Sequence, residues 1–156
     1  MTSVIAFVAA IGSGLVAGVF FAFSTFVMKA LARLPSNQGI AAMQSINVIV
    51  LNRWFLGAFL GTAVLSAIAL CLALLDWQTS HAIYLLAGGL SYLAGSLFVT
   101  IAFNVPKNES LAKLDPVSGA SAEAWTQYIS EWTRWNHVRT AASLASAAFF
   151  TLALVA

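Results

Sequence analysis

Hydrophobic residues run in long blocks along this chain, and polar residues collect between the blocks. From Val4 to Met28 no side chain carries a charge, and that length spans a hydrocarbon core of roughly 30 Å with some tilt. A signal peptide would want a basic leader and a shorter apolar core, so the pattern predicts a retained first span over residues 4–28. Uncharged blocks over 54–75 and 82–103 predict the second and third spans, and the Ala-, Leu- and Phe-rich tail predicts a fourth over 135–156. Ala10, Gly14 and Gly18 in the first block and Gly57 and Gly61 in the second recur every four residues, which predicts small faces for close helix packing.

The connections carry structure of their own. Pro35-Ser36-Asn37 breaks the first helix, Ser36 is placed to cap a new one, and Ile40, Met43, Ile46 and Val50 recur at helical spacing. This predicts a short interfacial helix between spans one and two, with Gln44 and Asn47 on a neighbouring face. Asp76–His81 is a tight polar turn in which His81 is expected to be exposed. Tyr92, Ser96, Thr100 and Asn104 follow at four-residue intervals, a slowly drifting polar ridge better suited to protein or a wet cavity than to lipid. Asn104-Val105-Pro106 is predicted to end the third span, because Pro disfavours helical geometry in the residue before it. The Lys107–Ser121 segment then reads as a polar connection with turns at Asp115-Pro116 and Ser118-Gly119, and Ser121 as the cap of a last helix with Glu123 in its first turn.

Composition turns these spans into a class. The 156 residues are 61% hydrophobic and 8% charged, whereas a soluble domain carries roughly 25% charged residues. The expectation is all-α: a transmembrane four-helix bundle forming one integral membrane domain, 1–156. Seven basic residues are too few and too scattered for a nucleic-acid track. The lone Cys71, inside an apolar run, is expected to be a small buried hydrophobe. Lys29, Arg33, Arg53, Lys107, Lys113 and Arg134 all fall in the two long connections, which predicts those connections on the cytoplasmic side and both termini outside, in a bacterial inner membrane.

One segment is crowded with polar groups despite this economy: Trp132-Thr133-Arg134-Trp135-Asn136-His137-Val138-Arg139-Thr140. Trp132, Asn136, Arg139, Ser143 and Ser146 share one face of a 3.6-residue period. The uncharged tail after Arg139 is short, which places that residue within about a turn of the interface. His137 lies about 100° around the helix from Asn136 and about 200° from Arg139, so a straight helix cannot aim all three into one narrow pocket.

This block, together with Asn104-Val105-Pro106-Lys107-Asn108, resembles the anthrone oxygenase-like family of small four-helix membrane proteins, and the resemblance covers most of the chain. It implies oxidation of anthrones to anthraquinones by O₂, or of a related quinol-like aromatic. The residues present fit a cofactor-independent route, since phosphate loops, paired carboxylates within a span and Cys-based metal motifs are all absent from the sequence. A haem with a single His ligand stays open. In that route His137 is the candidate general base, and Arg139 with Asn136 holds the developing oxyanion. Asn104, Trp132, Trp135 and Asn47 are the candidate substrate-binding residues. The partners expected are a hydrophobic aromatic small molecule or lipid and the bilayer itself, with association into a homo-oligomer left open. The competing reading is a non-catalytic membrane protein that binds a lipid or quinone, or an accessory subunit of a larger membrane complex.

Overall fold

Three of the five helices in the computed structural model are long and apolar enough to cross a membrane: α1 (Thr2–Ala32), α3 (Arg53–Leu75) and α4 (Ala82–Ala112). The other two are α2 (Ser36–Ile49) and α5 (Ser121–Leu152). The structure describes residues 2–118 and 121–156, so the Ser118-Gly119 turn lies partly outside the described residues. No strand occurs among them.

α1 packs against α3 and α5, and α4 packs against the same two, so the four long helices close a ring around a central seam. α2 lies across one end, against α5 and the C-terminal arm of α4. Gln44 fixes it there by donating to the carbonyls of Leu111 (2.8 Å) and Leu114 (3.0 Å), where α4 runs out. Under α2 sits an apolar core of Met28, Leu31, Ile40, Met43, Leu111 and Trp125, with Tyr128 and Trp132. Gly39 is what lets the Trp125 indole approach, since a Cβ there would fall 2.8 Å from the ring.

Several sequence expectations change. Pro106 does not end the third span; α4 continues to Ala112 with Val105 in helical geometry at φ −61°, ψ −49°. The reason is local: Thr100–Asn104 winds as a π-helix, and its i→i+5 bonding opens the turn that the Pro ring would otherwise clash with. The 107–112 stretch is therefore helix rather than loop. The 135–156 segment expected as a fourth span is the C-terminal half of α5, which stops at Leu152 and is not among the helices long and apolar enough to cross a membrane. Ser36 is the first residue of α2, and no side chain caps that helix. Ser121 likewise opens α5, and its hydroxyl donates to the Asp115 carbonyl. Asn52 caps instead, accepting from Trp54 N and Phe55 N at the start of α3.

The glycine faces also turn out differently. A Cβ at Gly14, Gly18, Gly57 or Gly61 would meet nothing within 4 Å, so these residues face outward. Close approaches occur instead at Gly12, against Thr62, at Gly89, against the Ser66 carbonyl, and at Gly95, against Ala142. Cys71 is exposed on the outer surface rather than buried, and His81 is half-buried rather than exposed.

Candidate functional site

The polar face of α5 points into the seam over its whole length. Trp125, Tyr128, Trp132, Asn136, Arg139, Ser143 and Ser146 are all buried. Opposite this face, the neighbouring helices are wound wide. α1 is π-helical over Phe23–Val27, and α4 over Ser91–Phe98 and Thr100–Asn104. Each wide turn carries residues that bond α5: Ser24 in the first, Ser96 in the second, Thr100 and Asn104 in the third. Such turns loosen the backbone ladder and leave carbonyls for side-chain donors. They also explain how Tyr92, Ser96, Thr100 and Asn104, four residues apart, hold one face: a π-turn contains more residues, so the ridge does not drift.

At the centre is Asn136, which is fully buried. Its amide nitrogen donates to the Phe20 carbonyl (2.7 Å) and to Ser24 Oγ (2.8 Å). Its carbonyl oxygen accepts from Arg139 Nη2 at 2.6 Å. These three bonds define the amide's orientation, because a flipped amide would set donors against donors. Thr140 donates to the Asn136 backbone carbonyl, so Ser24, 3.0 Å away, donates to Thr140. The set locks α1 to α5 at one level.

Arg139 is only 5% exposed. Nη1 donates to Thr100 Oγ1 at 3.2 Å. The guanidinium carbon lies 4.2 Å from the ring centre of Phe20 and 5.0 Å from that of Trp132. All these partners are neutral; the one ion pair among the described residues joins Lys107 to Glu131. Burying a charge without a counter-ion is costly, and cation–π contacts of roughly 2 kcal/mol when desolvated offset only part of it. Arg139 Nε has no partner among the described residues. Thr100, which accepts from Arg139, precedes Lys107 on α4 by about 10 Å of helix.

Toward α2 the network continues through two asparagines on either side of Pro106. Asn104 donates to the Trp132 carbonyl at 3.2 Å, while its own Oδ1 is buried and unpaired. Asn108 Oδ1 accepts from both Tyr128 Oη (2.9 Å) and Trp132 Nε1 (2.8 Å). Burial pushes the Tyr128 phenol well above the usual tyrosine range against opposing contributions from Asn47 and Arg139, so it stays a protonated donor. Asn47 Nδ2, from α2, is buried near it without a partner. Trp125, Tyr128 and Trp132 lie in a loose stack, with centroids 5.6 and 6.4 Å apart.

The sequence-level candidates therefore divide. Asn136, Arg139, Asn104, Trp132 and Asn47 belong to one buried region. His137 and Trp135 do not. His137 is exposed on the outer face of α5, as its helical angle demands, and has no side-chain hydrogen bond to any described residue. Trp135 stacks flat on Phe103 at 3.7 Å and is half-buried. The residues overlooked were Asn108 and Tyr128, each one helical step along a ridge already recognised, and Phe20, Ser24 and Thr100. Phe20 and Ser24 gave no signal, lying in an uncharged span with nothing to single them out. Among the described residues no three His, Cys, Asp or Glu side chains come together as a metal site.

No curated protein and no solved structure matches the chain. The sequence profile of one family does, across residues 51–149, which takes in α3, α4 and most of α5 with the whole Asn104–Asn108 and Trp132–Thr140 region. On that match, the chain belongs to the anthrone oxygenase family.

Proposed function

We propose that this protein is a membrane-embedded oxygenase of anthrone-like aromatics, built as a four-span bundle with α2 at the interface and the basic end facing the cytoplasm. The observation that carries the reading is the buried Arg139 guanidinium, held by Asn136 and Thr100, sandwiched by Phe20 and Trp132, and lacking any acid partner. A cation kept in a water-poor seam at such cost suits negative charge that appears only during a reaction. An anthrone supplies it. Loss of a proton from its CH₂ group gives an anion whose charge rests on the ring ketone oxygen. Arg139 stabilises that oxyanion and so makes the carbon acid stronger. The anion passes one electron to O₂, the two radicals join at the former CH₂ carbon, and the hydroperoxide loses water. The sum is anthrone plus O₂ to anthraquinone plus water: the CH₂ carbon loses four electrons, one oxygen atom stays as the new ketone, and the other leaves in water.

Asn136 fixes the guanidinium, and Trp132 and Phe20 offer ring faces to a flat substrate. His137, on the outer face, has no direct part in this reading; the CH₂ proton passes to water, and one is returned to the peroxide anion after the radicals join. Oxygen uptake by purified protein supplied with an anthrone tests it. Arg139→Leu is expected to slow uptake ~10²–10³-fold. Arg139→Lys keeps the charge but not the fork, and recovers only part of the rate. If folded protein consumes no oxygen with any anthrone or quinol, the non-catalytic lipid- or quinone-binding reading replaces this one.

A further inference from the structure

Beside the buried cluster, a cleft of about 260 Å³ opens between the C-terminal arm of α4 and the N-terminal half of α5. Leu111, Leu114, Ala124 and Tyr128 make its apolar lining. Lys107 and Glu131, paired with one another, stand in its wall, and Gln127 Nε2 also donates to Glu131 at 2.9 Å. Lys107 holds the Glu131 carboxyl below its usual range, so the pair is ionised at neutral pH.

Three features narrow what would fit. The volume falls just short of the roughly 300 Å³ at which small-molecule sites begin, so a compact ring system enters and a two-chain lipid does not. One cation against one carboxylate leaves the polar wall with no net charge. A phosphate would meet Glu131 head on, whereas a ring hydroxyl or ketone can share the donors of Lys107 and Gln127. Tyr128, finally, is common to the cleft and the buried cluster. It lines the cleft while its hydroxyl donates to Asn108, the acceptor it shares with Trp132, whose ring faces the Arg139 guanidinium.

We infer that this cleft is the pocket in which a flat, hydroxylated polycyclic aromatic is held before it reaches Arg139, with Tyr128 as the wall between the two places. The choice of an aromatic rests on the oxygenase reading; the pocket rests on its own lining. Ala124 is the smallest residue in it, so a large side chain there fills the space.

Equilibrium dialysis of the full chain in detergent against protein-free micelles measures binding of 1,8-dihydroxyanthraquinone, an air-stable probe of the product class. Ala124→Trp is expected to raise Kd at least tenfold. Ser110→Phe, at an exposed position lining the same cleft, is expected to raise it severalfold and guards against an unfolded first variant. Leu75→Trp, an equally bulky change on the exposed far end of α3, leaves Kd unchanged and accounts for partition into micelles. Wild-type affinity in both cleft variants overturns the pocket, even if anthrones are oxidised. Blocked binding in a protein that never consumes oxygen keeps the pocket and removes the oxygenase reading instead.

Discussion

The two halves of α5 present the same face at the same period to the same neighbours, yet they are packed in opposite ways. The C-terminal half meets small residues: Ala6, Ala9, Ala69, Ala73 and Ala82 form the core there, with Leu85 and Phe150. Its hydroxyls find partners across the seam, Ser143 with Ser96 and Ser146 with Ser13 and the Gly88 carbonyl. The N-terminal half meets rings, asparagines and a cation. Of the six buried side-chain polar atoms left unpaired among the described residues, three are on α5 at this end, Trp125 Nε1, Thr133 Oγ1 and Arg139 Nε, and two are on helices packed against it, Asn47 Nδ2 and Asn104 Oδ1. Ser66 Oγ is the exception. In a bilayer, apolar side chains gain little by leaving lipid, so close backbones and paired hydroxyls must hold helices together. The C-terminal half is built that way and is a clamp. The N-terminal half gives up that economy, and each of its unpaired buried polar atoms calls for an explanation.

The hardest blow to this division is at the clamp. Gly95→Leu would push a side chain into Ala142 across the α4–α5 contact. Separating two helices that touch at backbone distance is expected to cost about 3 kcal/mol or more. Chemical unfolding in detergent should register it, and oxygen uptake should fall only in proportion to folded protein. Gly14→Leu and Gly61→Leu, where a Cβ meets open space, should be silent in the same assay. If they destabilise as Gly95→Leu does, the outward glycines hold something this chain does not supply.

Next comes Asn136→Leu. It removes the acceptor of Arg139 Nη2 and the donor to Ser24 and Phe20 in one step. Leaving those groups unpaired is expected to cost roughly 1–3 kcal/mol and to remove most of the activity with it. Retention of full activity would mean that Arg139 needs no holder.

Arg139→Leu should behave in the opposite sense. Replacing a buried cation that has no ionic partner by an apolar side chain removes its desolvation cost but leaves the Asn136 carbonyl oxygen without a donor, so the net loss of stability is expected to stay within about 1 kcal/mol. Turnover should still collapse. A variant that loses stability and activity together would make Arg139 part of the scaffold, and the contrast between the two halves would shrink to one of residue size.

The fold was largely readable because the charge-free blocks and the 3.6-residue stripe on α5 are properties of the chain alone. The breaks were not. Pro106 announces an end to a helix, and the π-turn before it, which has no signal in the sequence, lets α4 continue. Gly14 and Gly61 have the spacing of a packing face, but which face of an apolar helix turns inward is decided by its neighbours. In the site, Asn136 and Arg139 were legible as polar groups on a shared face. Their partners Phe20 and Ser24 were not, since a backbone carbonyl and one serine in an apolar span carry no pattern.

The smallest expected effect is the most telling. His137 is the one side chain near the site whose ordinary pKa lies close to neutrality, and chemistry alone makes it the natural base. Geometry opposes that. One residue past Asn136, it is turned about 100° out of the seam and exposed, while Arg139 is turned back in. A proton acceptor has to come within hydrogen-bond reach of the carbon it serves, directly or through one water. An imidazole on the outer face reaches only a substrate lying against the outside of α5, where Arg139 does not reach. His137→Ala is therefore expected to leave the rate of oxygen uptake within about threefold of wild type, because it removes no group from the seam. A loss of ~10²-fold or more would move the reacting substrate to the outer groove. Arg139 and Asn136 would then be the clamp's last polar turn rather than the oxyanion holder.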